Sequence, residues 1–162
     1  MTSGILLYFY LYYLLIMKTD LVVGAYIVHD HRVLLIHHRK LDLWLPVGGH
    51  IEQNETPDDA VLRECREEVG LDVIILNESD IPSEGNIKKI LSVPFCVNVH
   101  PVVDHDHCCF FYVCAPSNPE QLKVNKEVKD YQWFSKEDLH KNYVPLDVRN
   151  IGLKALSLYD QS

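Results

Sequence analysis

Gly49 to Leu71 reads GHIEQNETPDDAVLRECREEVGL. The stretch predicts a helix with both ends marked. Thr56 is the candidate N-cap, and Pro57 stands at the first helical position, where its missing N–H costs nothing. Asp58 and Asp59 place negative charge at the positive end of the helix dipole, and Gly70 is the left-handed stop. Val61, Cys65 and Val69 recur every four residues with Leu62 beside them, so one stripe can face a core. Glu64, Glu67 and Glu68 are spaced i, i+3, i+4 and crowd another face. Like charges at this spacing cost roughly 0.2–0.5 kcal/mol per pair on an exposed helix; Arg63 and Arg66 offset part of that. Two readings follow: a solvated acidic face, or the seat of a hard divalent cation such as Mg²⁺, which prefers carboxylate oxygens and is usually shared with a phosphate.

Counted from Gly49, the chain runs through Glu55, Arg63-Glu64-Cys65, Glu67-Glu68 and Gly70-Leu71. This spacing resembles the Nudix box of the Nudix hydrolases, G-x5-E-x7-R-E-U-x-E-E-x-G-U, where U is a bulky aliphatic residue. One position departs, the first U, which is Cys65. Cysteine is a small apolar core residue, so the change is one of packing rather than of chemistry.

The resemblance implies a Nudix-type α/β/α sandwich with a mixed β-sheet. It also implies Mg²⁺- or Mn²⁺-dependent cleavage of a diphosphate bond in a nucleoside diphosphate linked to another moiety. By the same resemblance the metal ligands are Glu64, Glu67, Glu68 and the Gly49 carbonyl. The proton acceptor from water is Glu67 first and Glu127 second. Glu55 and Arg63 are structural, a pair that orients the helix against the Gly49 loop. Dimerisation is common among such relatives, so a homodimer is one expected assembly. Two further classes stay open: a module that holds a metal-nucleotide without turning it over, and an isomerase of isoprenyl diphosphates. The isomerase chemistry calls for additional cysteine and glutamate residues in a longer chain.

At 162 residues the length is that of one domain. The net charge of −8 argues against a nucleic-acid surface, which would be basic. It is compatible with a phosphorylated small molecule, because a bound cation reverses the local sign. Five cysteines form no regular framework and point to reduced thiols in a cytoplasmic protein.

Residues 1–17 are set apart as an apolar extension, with the Nudix domain expected over 18–162. Ile5 to Met17 carries no charge. As a helix it would be roughly 20 Å long at 1.5 Å per residue, short of a ~30 Å hydrocarbon core. A secretory signal fits poorly, since no basic residue precedes the run and no A-x-A-like site follows it. Met17 as the true start, a tyrosine-rich interfacial anchor or partner surface, and an extra packed element are three readings of it.

Leu21–Val28 and Arg32–His38 predict a hairpin about the turn His29-Asp30-His31. Trp44 to Glu52 is expected to be extended, with Gly48 and Gly49 where backbone is approached closely. Further strands are expected at Asp72–Leu76, around Leu91–Val99, at Phe110–Ala115 and at Glu127–Phe134. Ser135 is expected to cap a short helix from Lys136, and Leu146–Tyr159 to form an amphipathic helix over the sheet. Glu127, Trp133-Phe134 and Leu139 also fit a pattern that Nudix domains often carry there.

Two more positions are candidates for substrate contact. Arg39 presents a planar guanidinium suited to a pair of diphosphate oxygens, although a surface arginine after a strand reads the same way. His107 lies in His105-Asp106-His107-Cys108-Cys109. Many Nudix proteins carry a His-x-His on this strand close to the substrate pocket, while an ordinary sheet histidine is the plainer reading. A zinc reading of the run is disfavoured, because it lacks a C-x2-C or H-x3-H pair. On a strand, His105, His107 and Cys109 would share one face.

Overall fold

The computed structural model of the chain describes residues 18–77 and 79–160. The expectations for residues 1–17 lie outside them. Among the described residues, eight strands and two α-helices follow in the order β1 (Thr19–His29), β2 (Arg32–His38), β3 (Leu43–Leu45), β4 (Val47–His50), α1 (Pro57–Val69), β5 (Val73–Ile75), β6 (Cys96–Pro101), β7 (Asp106–Pro116), β8 (Val128–Phe134) and α2 (Leu146–Tyr159).

The long strand β1 organises the sheet. It runs parallel to β7 from Thr19↔Asp106 to Ile27↔Cys114 and antiparallel to β4 from Val22↔His50 to Ala25↔Val47. Its last residues turn into β2 through Asp30 and His31, both at positive φ (48° and 57°), which matches the right-handed twist of a two-residue hairpin. Strand β2 pairs with β3 and β8, and β7 pairs with β5 and β6. The sheet is therefore mixed, as expected.

Alternation along β1 divides the core. Val23, Ala25 and Ile27 point to one face and pack with Ala60, Val61, Cys65 and Val69 of α1. Val22, Tyr26 and Val28 point to the other and pack with Val148, Ala155 and Leu156 of α2. One helix on each face gives the α/β/α sandwich.

The ends of α1 follow their local signals. Thr56 is extended and its hydroxyl accepts from the Asp59 N–H. Gly70 is left-handed (φ 66°); its N–H donates to the Arg66 carbonyl and that of Leu71 to the Cys65 carbonyl, closing a Schellman-type cap.

Three local expectations are corrected. No strand forms at Leu91–Val93: the Ser92 N–H and hydroxyl both donate to Asp58 Oδ2 (3.1 and 3.0 Å), Pro94 has no N–H for a ladder, and β6 starts only at Cys96. After Ser135 the chain makes a single 3-10 turn, Asp138–His140, with Ser135 Oγ accepting from the Asp138 N–H. His105 lies in the turn before β7 rather than on the strand, while His107 and Cys109 do share a face, the α2 side. The five cysteines are free. Among the described residues no helix is long and apolar enough to cross a membrane.

Candidate active site

The acidic face of α1 lies against the end of β4. Glu68 is 5% exposed, and its Oε2 accepts from the Gly48 N–H at 3.0 Å. Glu64 touches the next residue: a Cβ added at Gly49 would stand 2.3 Å from Glu64 Oε1. The two glycines are thus required by the carboxylates and by β1, since a Cβ at Gly48 would stand 2.1 Å from the Val23 carbonyl oxygen. Glu67 is at the open side, with its side chain 59% exposed.

Arg63 joins this face to the preceding loop. Its Nε and Nη2 donate to the two Glu55 oxygens at 2.8 and 2.9 Å, a bidentate pair, and Nη2 also donates to the His50 carbonyl. Glu55 in turn accepts from the Glu52 N–H. Arg63 Nη1 reaches Glu64 Oε1 at 2.6 Å and Glu67 Oε2 at 3.3 Å.

Glu127 comes to the same place from a distant part of the chain. Lys123 and Asn125 donate their N–H groups to the carbonyls of Val69 and Glu68, so the loop before β8 hangs on the end of α1. Arg39 holds that loop from the other side: its backbone N–H donates to the Glu127 carbonyl, and its Nε and Nη2 donate to the carbonyls of Lys126 and Val128. The guanidinium expected at a phosphate is thus engaged with the segment that carries Glu127.

The charges are mutually unfavourable. Burial raises the pKa of Glu68 to about 7, and Glu64, Glu127 and Glu67 add to the rise against the Gly48 hydrogen bond. Burial also raises Glu64, opposed by Arg63. Glu55 is held below the usual range, chiefly by its hydrogen bonds from Arg63. Crowded hard oxygens, one of them on a buried carboxylate driven toward neutrality, suit Mg²⁺ or Mn²⁺, whose charge would favour ionised Glu68. Arg63 Nη1 stands between Glu64 and Glu67. Among the described residues, the group of three ligand atoms already within 4.8 Å of one another is elsewhere, at His50, His105 and His107.

That second group lies on the other face of β4. Gly49 pairs with Val23 and faces α1; His50 pairs with Val22 and faces the α2 side. His107 pairs with Asp20 of β1 on that same face. Burial and the neighbouring imidazoles of His50, His100 and His105 lower its pKa. Sequence reasoning missed His50, because only the register of β1 with both β4 and β7 brings it to His107.

Two predictions concern this face. In metal-free protein, Glu68 has a folded pKa above its unfolded value, so its contribution is complete below about pH 4 and is lost as pH rises through about 7. Glu68→Gln removes that loss. Urea midpoints in chelator should show the variant gaining on the parent between pH 5 and pH 8, by as much as about 3 kcal/mol; parallel curves would refute the shift. Secondly, Gly49→Ala pushes on a carboxylate that Arg63 holds, whereas Gly48→Ala pushes on backbone. Gly48→Ala should destabilise by about 1–3 kcal/mol. Gly49→Ala should cost less, read by the same denaturation.

The profile of the NUDIX domain matches residues 18–153. The chain is similar to a solved NUDIX-family hydrolase from Clostridium perfringens at 33% identity, with TM-score 0.77 over 88% of this chain and 99% of that one. It is 40% identical to an 8-oxo-dGTP diphosphatase of Proteus vulgaris over 62 residues, 35% of this chain. It is 29% identical to an isopentenyl-diphosphate Delta-isomerase of Salmonella paratyphi B over 121 residues, 70% of this chain. It spans 55% and 60% of the lengths of those two curated relatives.

Proposed function

The chain belongs to the Nudix hydrolase family, and on that premise we propose that it is a divalent-cation-dependent hydrolase of a nucleoside diphosphate linked to another moiety. The observation that carries this reading is Glu68, a buried carboxylate beside Gly48 whose pKa is raised by burial and by three other glutamates. A fold that keeps such a group without a counter-charge loses stability, and a bound cation removes the loss.

In this reading Glu64, Glu67, Glu68 and the Gly49 carbonyl hold Mg²⁺ or Mn²⁺. When bound, the ion supplies positive charge that offsets the diphosphate oxygens, which otherwise repel a nucleophile. Glu67, at the open side, takes a proton from the attacking water on a carboxylate oxygen. Water oxygen adds to one phosphorus, the bridging P–O bond breaks, and the leaving phosphate keeps the electron pair. Glu127 is the second carboxylate in reach of the same space. Arg39 positions it through the Lys126 and Val128 carbonyls. Arg63 and Glu55 fix α1 against the loop after β4.

The partner is a small molecule, and the reaction suits a cytoplasmic nucleotide pool. A screen of nucleoside triphosphates, nucleotide sugars, ADP-ribose, dinucleoside polyphosphates and coenzyme A with Mg²⁺ or Mn²⁺ tests the reading through chromatographic detection of the two phosphorylated products. Isopentenyl diphosphate belongs in the screen because of the isomerase relatives. Turnover of at least one nucleotide is the expected result. Tight binding without turnover would leave the non-catalytic module in its place.

A further inference from the structure

The histidine group on the α2 side of β4 has the composition and spacing of a metal site. His50 ends β4, His105 lies in the turn before β7, and His107 is the second residue of β7. Nε2 of His105 and Nε2 of His107 are 3.0 Å apart. Asp20 of β1 brings a carboxylate oxygen to the same point: its Oδ2 lies 3.4 Å from His105 Nε2 and 3.6 Å from His50 Nε2. Ligand atoms about 2.0–2.1 Å from a tetrahedral ion are about 3.3 Å from one another, so these three separations need little movement to close on one.

The tautomer of His105 points the same way. Its Nδ1 is 2.8 Å from Asp104 Oδ1, and a carboxylate on one ring nitrogen assigns the N–H there. His105 Nε2 then faces inward as an acceptor, 3.0 Å from His107 Nε2, which can donate to it. Lys18 Nζ donates to that same Asp20 Oδ2 at 3.0 Å, so a bound metal would take the lysine's place on the carboxylate. A carboxylate behind a histidine is also the arrangement that orients imidazole ligands in metal centres. Three imidazoles and one carboxylate suit zinc better than Mg²⁺, which takes oxygen ligands.

We infer that His50, His105, His107 and Asp20 form a zinc-binding site, separate from the carboxylates of α1. It would tie β1, β4 and β7 together at one end of the sheet. Because the two sites stand on opposite faces of β4, this inference does not depend on the proposed hydrolysis.

The test uses the full chain without an affinity tag, equilibrated with Zn²⁺ in excess Mg²⁺, desalted and analysed for metal. About one zinc per chain is expected. His105→Ala and His107→Ala should each weaken zinc binding at least about tenfold, and Asp104→Asn, which keeps every ligand, about tenfold. Glu67→Gln should retain zinc. Co²⁺ added to the parent protein should give the visible absorption of a tetrahedral ion, lost in His105→Ala. Parent protein that releases zinc on desalting would overturn the site, as would zinc held equally by both histidine variants. Zinc lost on Glu67→Gln but kept by the histidine variants would place the ion at α1 and overturn it too.

Discussion

Glu67→Gln is expected to lower kcat by about 10²- to 10⁴-fold, the range that a positioned general base contributes, while leaving the fold intact. The two halves of that expectation come from the same geometry. Glu67 stands on the open side of α1, 59% exposed, and its contact with Arg63 is a 3.3 Å approach that Arg63 does not depend on. A substitution at such a place changes stability by roughly 0.5 kcal/mol or less. Glutamine keeps the size and one oxygen but can neither accept the proton nor hold a cation as a carboxylate does. Thermal unfolding should therefore be unchanged while turnover collapses. Glu127→Gln, at the second carboxylate, should reduce kcat less. A full-strength Glu67→Gln enzyme, or a larger loss at Glu127, would move the proton acceptor to the loop.

The largest effect on stability is expected at Arg63. Its guanidinium serves Glu55, Glu64, Glu67 and the His50 carbonyl together. The side chains of Glu55 and Glu64 are only 14% and 13% exposed. Arg63→Met strands both carboxylates away from most of the solvent, at a cost on the order of 3 kcal/mol. Arg63→Lys should recover only part, because an ammonium cannot make the two parallel bonds to Glu55. Arg63→Met combined with Glu55→Gln should be less destabilised than Arg63→Met alone, since one of the stranded charges is gone. Chemical denaturation of the four proteins at pH 8 measures all of this. Equal stabilities for Arg63→Met and the parent would mean that the network holds nothing together.

How much was legible in the sequence depended on how local the cause was. Thr56, Pro57 and Gly70 act within a turn of their own positions, so both ends of α1 could be placed from the string alone. The same holds for the hairpin at Asp30-His31. The stripe of Val61, Cys65 and Val69 correctly named the buried side of α1. Local signals failed where a distant partner decided the outcome. Leu91–Val93 has strand-like residues, but Asp58 on α1 takes the Ser92 donors. Arg39 looked free after a strand, yet the carbonyls that hold it belong to the chain before and within β8. His50 looked like part of a glycine-rich approach. Only the shared pairing of β1 with β4 and β7 turns it toward His107. Glu127 was named through resemblance; its closeness to Glu68 comes from backbone bonds between the loop and the end of α1.

The measurement that bears most directly on the central claim is an anomalous difference map from crystals soaked in Mn²⁺, collected at pH 8 so that Glu68 is ionised. The account predicts a peak within about 2–2.5 Å of oxygens from Glu64, Glu67 and Glu68 and of the Gly49 carbonyl, with Arg63 Nη1 moved aside. Carboxylates that remain bridged by Arg63, with manganese absent from α1 at saturating concentration, would contradict it.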